Sequence, residues 1–146
     1  MGAYDKGLPT LNTRKTARGK YGAIYDEEGN YMDNVTEFEA KIKFDKKKVE
    51  RGNAFLDGHR IMGGTATGKM KIYLTNAKFK QQLAEDPDRQ YNFVGEVHEV
   101  DGMAVEANYR IALKGINFDE VDLHTYKTKD LIELDLPFTF EDYEYL

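Results

Sequence analysis

The sequence predicts a mainly β protein, an antiparallel sandwich or barrel carrying one short helix, and three observations lead there. Apolar and polar residues alternate with a period of two in separate stretches, turn residues fall between those stretches, and a single segment has the spacing and caps of a helix. The chain has 146 residues, a formal net charge of -5, 40% hydrophobic residues, three prolines and neither Cys nor Trp. That length fits one domain able to bury about 70% of its unfolded surface, so the core needs no disulfide or metal. The missing cysteines exclude disulfide scaffolds, thiol catalysis and cysteine zinc sites. The opening residues lack the apolar run of a signal peptide, and no stretch approaches the roughly 20 apolar residues of a spanning helix, so a soluble protein is expected.

Residues 1 to 20 carry Lys6, Arg14, Lys15, Arg18 and Lys20 against Asp5, a net +4 without apolar period. They read as a flexible basic arm that orders against a partner, and residues 21 to 146 as a single β domain. Next, apolar residues on either side of Asp26-Glu27-Glu28-Gly29-Asn30 form a hairpin. Phe38, Ala40, Ile42 and Phe44 then alternate with Glu37, Glu39, Lys41 and Lys43, the pattern of a sheet dry on one face and wet on the other. The alternation fails over residues 46 to 64, which hold Lys46, Lys47, Lys48, Arg51, several glycines and the scattered apolar Phe55, Leu56, Ile61 and Met62. This segment is expected to be a long loop. Alternation resumes over residues 67 to 74, with Met70, Ile72 and Leu74 opposite Lys69, Lys71 and Tyr73, as an antiparallel partner of the earlier strand.

Thr75 or Asn76 caps a helix whose Phe79 and Leu83 share one face, and Asp86-Pro87-Asp88 ends it. Its single apolar stripe lays it across a sheet. Residues 91 to 100 and 103 to 114 flank Asp101-Gly102 as a hairpin, with Val105, Ala107, Tyr109, Ile111 and Leu113 on one side and Glu106 and Arg110 on the other. Last, Ile132, Leu134, Leu136, Phe138 and Phe140 alternate with Glu133, Asp135, Pro137, Thr139 and Glu141. Pro137 lacks an N–H, which predicts an edge or a bulge there. The total is six to eight strands and one helix. Residues 119 to 146 carry a net -7, so the basic arm and acidic end either pair between copies or are solvated separately.

Catalytic signals are weak. Gly63-Gly64-Thr65-Ala66-Thr67-Gly68-Lys69 has phosphate-loop spacing, but Met70 stands where the Mg-binding hydroxyl belongs and a strand follows where the helix N-terminus is required. His59, His98 and His124 have no metal-ligand spacing. The acids alternate with apolar residues and so belong to wet strand faces. The Lys46 to Lys48 run lacks interleaved aromatics within an acidic chain, which argues against nucleic-acid binding. Asn34-Val35-Thr36 fits a glycosylation sequon, without meaning absent a secretory signal.

A wide wet sheet has edges to manage, and closing copies into a ring would make its wet faces a polar lumen. The stretches RGKYGAIYDEEGNYM, VTEFEAKIKFDKKKVE, GGTATGKMKIYLTNAKF and LDLPFTFEDYEYL resemble the tail tube proteins of contractile-tailed phages and defective phage particles of Gram-positive bacteria. The resemblance runs from about Arg18 to Tyr143, and the closing Phe138-Thr139-Phe140-Glu141-Asp142 is its most specific part; Tyr143 departs from the Phe often found there. It implies a fold of the phage tail tube type, hexameric rings stacked into a hollow tube, and as partners a sheath outside, a tape-measure protein inside and a baseplate. DNA would be a non-specific passenger on ejection. It implies a virion tail or phage-tail-like particle, assembled in the host bacterial cytoplasm, and no enzyme, cofactor, metal or small-molecule substrate.

On that reading Glu37, Glu39, Lys41, Lys43, Glu106, Arg110, Glu133 and Asp135 face a lumen of mixed charge, and an eleven-residue strand at about 3.3 Å per residue spans one ring. Lys46, Lys47, Lys48, Arg51, Phe55, Leu56, Ile61 and Met62 belong to an inter-subunit loop. Arg14, Lys15, Arg18 and Lys20 are the contacts of the arm. Two alternatives stand beside it: the same tube in a DNA-free contractile bacteriocin that perforates membranes, and a monomeric barrel binding a small ligand.

Overall fold

A computed structural model describes residues 7 to 100 and 102 to 146. Seven strands and one α-helix make up the described chain: β1 Gly22–Tyr25, β2 Val35–Val49, β3 Gly58–Tyr73, α1 Ala77–Glu85, β4 Tyr91–Val97, β5 Tyr109–Phe118, β6 Glu133–Thr139 and β7 Asp142–Tyr145. Short 3-10 turns occupy Thr13–Lys15, Gly19–Tyr21 and Gly102–Ala107. The strands run in the order β1-β4-β5-β6-β3-β2, with β7 also on β5, and every pairing is antiparallel. Two layers result, one of β1, β4, β5 and β7 and one of β2, β3 and β6. They are joined where the end of β5 meets β6 at Asn117↔Thr139 and Phe118↔Phe138.

The alternating apolar residues meet between these layers. Met70, Ile72, Leu134, Leu136 and Phe138 from one sheet and Tyr91, Phe93, Leu113, Ile116 and Phe118 from the other are buried. Helix α1 closes one end. Asn76 caps it by accepting from the Lys78 N–H, and its Phe79 meets Tyr91 and Phe118 edge-on with ring centroids 5.8 and 5.9 Å apart. Such aromatic pairs contribute about 0.5–1.5 kcal/mol each beyond their buried area.

Three expectations need correction. Residues 46 to 64 are not a loop, because β2 and β3 continue as a paired hairpin to Val49↔Gly58 and leave only residues 50 to 57 as the connection. The register slips by one residue between Asp45 and Lys46, which leaves Met62 as the bulged extra residue. Pro137 lies on no bulge, and β6 is not an outermost strand: β3 pairs one side of it along its length and β5 pairs the other side at its C-terminal end. The Phe140 N–H donates to Ala66 O and the Leu74 N–H to Ile132 O, so alternation points the N–H groups of even-numbered β6 residues at β3. The absent N–H of Pro137 therefore faces the β5 side, where the ladder ends: the Asp119 N–H donates to Pro137 O at 2.8 Å and no bond is returned.

The third correction concerns the stretch after β4. Strand β4 stops at Val97, and Glu106 falls in a 3-10 turn rather than on a strand. Asn108 interrupts a simple hairpin here by bonding both the N–H and the C=O of Glu99 through its carboxamide, at 2.7 and 3.1 Å. Asp101 of the expected turn lies outside the described residues. Further along, Gly115 adopts φ +70°, and the register slips between Tyr91 and Phe93, so that Leu113 and Ile116 both face inward. A side chain at Gly115 would meet Glu141 at about 3.0 Å as well as strain the backbone.

Candidate assembly surfaces

Register puts residues directly opposite one another on one face of a sheet, and the outward face of β2, β3 and β6 is charged in rows. Lys71 stands between Glu37 and Asp135, with its Nζ 3.7 and 3.9 Å from their carboxylates. Glu39 faces Lys69 at 3.9 Å and also lies 3.6 Å from Lys41. Lys41 and Lys43 oppose Thr67 and Thr65, and Glu133 opposes Tyr73. Of the eight lumen candidates the fold thus brings together Glu37, Glu39, Lys41, Lys43, Glu133 and Asp135. Lys69 and Lys71 belong to the same face and were missed, although they alternate as clearly as Lys41 and Lys43 do. These are exposed pairs of small individual worth, about 0–1 kcal/mol, so their effect is to leave the face polar and close to neutral rather than to hold the fold together.

Arg110 and Glu106 do not join them. Arg110 lies on the outer face of the other sheet, where its Nε is 3.4 Å from the Glu96 carboxylate. Glu96 also accepts from the Tyr25 hydroxyl at 2.8 Å, and that hydrogen bond is the main cause of a phenol held above its ordinary value.

The β2–β3 hairpin is the second surface. At about 3.3 Å per residue the fifteen residues of β2 extend about 50 Å, and residues 43 to 49 and 59 to 65 are exposed throughout. On the face that continues the core side, Phe44 and Ile61 are 57% and 54% exposed, and near the tip Phe55 and Leu56 are 101% and 69% exposed. Lys46, Lys47, Lys48, Arg51 and Arg60 surround them; Lys48 pairs with Asp57 at 3.0 Å, and Arg51 donates to Leu56 O at 3.0 Å to shape the tip. Exposed apolar side chains on a protruding ribbon bury nothing within the subunit.

A cleft of about 1100 Å³ opens between the sheets beneath the root of this hairpin. Ile24, Met32, Phe38, Ala40, Ile111 and Leu113 line its floor, and Glu39, Glu96 and Glu106 stand among its walls. The arm reaches its mouth at Gly19, next to Gly22 of β1. Arg14 and Lys15 sit in an exposed turn capped by Asn12, Lys20 stacks over the Tyr21 ring at 5.0 Å, and Arg18 binds the body through Glu99.

Among the described residues no three His, Asp or Glu side chains converge to hold a metal, and no helix is long and apolar enough to cross a membrane. A sandwich with unpaired sheet edges, a charged flat face and a projecting apolar ribbon is a structural subunit built for contact with other chains. The chain belongs to the phage tail tube protein family, which it matches over residues 9–146. It is similar to two Bacillus subtilis (strain 168) proteins, the phage-like element PBSX protein XkdM, 25% identical over 137 residues, and the uncharacterized protein YqbM, 24% identical over 139 residues. Each alignment covers 92% of both chains. In fold it is similar to a chain in the sheath–tube complex of the PVC extracellular contractile injection system in its extended state, with TM-score 0.69 and 3% identity over 92% of this chain and 93% of that one. It is likewise similar to a chain in the tail of an empty gene transfer agent particle refined with C6 symmetry, with TM-score 0.65 and 9% identity over 90% and 99% of the two chains. The SPP1 tail tube protein superposes with TM-score 0.59 and 10% identity over 89% of this chain and 78% of its own.

Proposed function

We propose that this chain is the repeating subunit of a hollow tail tube, that six copies close into a ring, and that rings stack into a conduit. The observation that carries this reading is the charged outward face of β2, β3 and β6, which has an unpaired backbone edge on each side. Among the described strands β2 pairs only with β3, and β5 reaches β6 only at Phe138 and Thr139. Joining the β2 edge of one copy to the free part of the β6 edge of the next satisfies both edges and turns the face inward around an axis. Glu37, Glu39, Lys41, Lys43, Glu133 and Asp135, with Lys69 and Lys71, then line the lumen. Opposite charges in adjacent rows leave few unpaired sites to which a passing polymer would adhere.

The hairpin supplies the contact between rings. Phe55, Leu56, Ile61 and Met62 offer apolar area, and Lys46, Lys47, Lys48 and Arg51 complement the exposed Glu106 beside the cleft of a neighbouring copy. The arm, with Arg14, Lys15 and Lys20, makes a further lateral contact. A sheath surrounds the tube, a baseplate seats it, a tape-measure protein fills it during assembly in the host bacterium, and DNA is its passenger. Electron microscopy of the concentrated purified protein tests the reading: rings or tubes of constant diameter are expected, and a monomer at every concentration and salt condition would overturn it.

A further inference from the structure

Glu99 is the one buried charged side chain among the described residues, with 2% of its side chain exposed. Its position is set by the body of the subunit, because Asn108 grips its backbone on both sides and Ala104 packs buried in the adjoining turn. Its counter-charge comes from elsewhere. Arg18, 81 residues away in the arm, places Nη2 at 2.6 Å and Nε at 2.7 Å from Glu99 Oε1, and its backbone N–H reaches Oε2 at 3.4 Å. The guanidinium also lies over the Tyr21 ring, 5.0 Å from its centroid, and remains half exposed.

The rest of the arm is held more loosely. Residues 7 to 20 are all exposed, so no apolar burial fastens them. Other ties to the body include a weak bond from Asn12 Nδ2 to Met103 Sδ at 3.5 Å, the His98 N–H donating to Tyr21 O at 3.2 Å, and the Thr13–Lys15 turn lying against the Gly102–Ala107 turn. The geometry points to a latch: we infer that Glu99 is a receptor for a guanidinium, and that its occupation by Arg18 straps residues 12 to 21 along the subunit, with Gly19 at one end of the cleft between the sheets.

The chemistry of the pair fits that role better than a general contribution to stability. A carboxylate removed from water must have a hydrogen-bonded cation, and losing one partner of such a pair is far more costly than losing an exposed pair. The body therefore carries a standing demand for a guanidinium that the arm answers. A lysine offers a point charge and cannot present two donors like Nε and Nη2 together while its charge lies over Tyr21. Gly19 of the strap lies at the same end of the cleft as Gly22, Val97, Ala107 and Asn108 of the body, so releasing the latch opens that end. The inference concerns the isolated subunit and stands whether or not copies form a tube.

Limited trypsin digestion of the folded full chain, followed by intact mass, tests it. Arg14, Lys15 and Lys20 report on the strap, and the exposed basic residues of the hairpin serve as an internal reference. Glu99→Gln is expected to raise the rate of strap cleavage about tenfold or more with hairpin cleavage unchanged, since cleavage follows the population of the open form. Arg18→Lys should give an intermediate increase. Because Arg18→Gln alone strands a buried carboxylate, the double variant Arg18→Gln/Glu99→Gln should melt at a higher temperature than Arg18→Gln while its strap stays open. Strap cleavage of Glu99→Gln at the unmodified rate would overturn the latch. An equal rise at strap and hairpin sites would overturn it too, by making the pair a stabiliser of the whole fold.

Discussion

Replacing Gly68 by alanine is the sharpest test of the close packing within the β2, β3 and β6 sheet. Gly68 pairs with Ala40 of β2 on one side and Phe138 of β6 on the other. A Cβ at Gly68 would lie 2.2 Å from Glu39 O and 2.5 and 2.7 Å from Cζ and Cε2 of Phe138. The ring of Phe138 covers the place where the side chain would be, and it is itself held by Phe38, Phe118 and Phe140 with centroids 5.5, 5.8 and 6.3 Å away. A side chain could turn aside, but a carbonyl belonging to the neighbouring strand cannot move without breaking the β2–β3 ladder. Overpacking of a core costs about 1–3 kcal/mol, and collision with backbone places Gly68→Ala near the upper end. With a urea m-value of about 2 kcal/mol/M, a loss of about 3 kcal/mol moves the midpoint down by about 1.5 M. The assay is urea unfolding followed by far-ultraviolet circular dichroism at subunit concentrations too low for assembly. Gly63→Ala is the control, because no atom lies within 4 Å of its would-be Cβ. Midpoints for the two variants within about 0.25 M of each other, about 0.5 kcal/mol at that m-value, would refute the close approach as the reason for glycine at 68.

Tyr91→Phe is expected to cost nothing and to stabilise by up to about 1 kcal/mol, because the buried hydroxyl finds no hydrogen-bond partner among the described residues. Burial holds the Tyr91 phenol above its ordinary value, so its contribution is fully present below the unfolded tyrosine value of about 10 and is lost as pH rises through the higher folded value. Thermal melts of the variant should accordingly decline less steeply above pH 10 than those of the parent. Phe55→Asp with Leu56→Asp should leave the melting temperature of the subunit unchanged, since both side chains are exposed, while sedimentation shows assembly abolished. Lys71→Glu sets a third carboxylate between Glu37 and Asp135 and should destabilise the sheet by about 1–2 kcal/mol, much of it recovered in 1 M NaCl. An effect indifferent to salt would count against an electrostatic origin.

Where a side chain had to choose between core and water, the choice was legible in the sequence. Residues 67 to 74 and 132 to 140 alternate because one face of each is buried, and the buried set Met70, Ile72, Leu134, Leu136, Phe138 and Phe140 follows from that alternation, while residues 35 to 45 alternate with Phe38 and Ile42 half-buried against the same core. The helix was legible from Asn76 and from the Phe79 and Leu83 stripe. The outer hairpin was not, for the same physical reason. Residues 46 to 49 and 58 to 64 project into solvent on both faces, so no face imposes a period, and a strand without a buried face reads like a loop. Arg110 shows a different limit. Alternation identifies the wet side of a strand but not which layer of a sandwich the strand has joined, so Arg110 and Glu133 look alike until the pairing of β5 and β6 is known. Glu99 was passed over because the burial of a lone carboxylate depends on Arg18, 81 positions earlier.

The long antiparallel ribbon of β2 and β3 also makes the subunit mechanically anisotropic. Tension along the strands, applied at opposite ends of the ribbon, loads many cross-strand hydrogen bonds in parallel, and they must yield together. Tension that spreads Val49 and Gly58 apart at the tip loads those bonds one at a time, like a zipper. A ribbon set lengthwise in a filament would thus resist stretching strongly and peeling weakly. Pulling single subunits through cysteines placed at residues 35 and 58, and separately at 49 and 58, should give a rupture force several times higher in the first geometry. Equal forces would show that the ribbon does not bear the load.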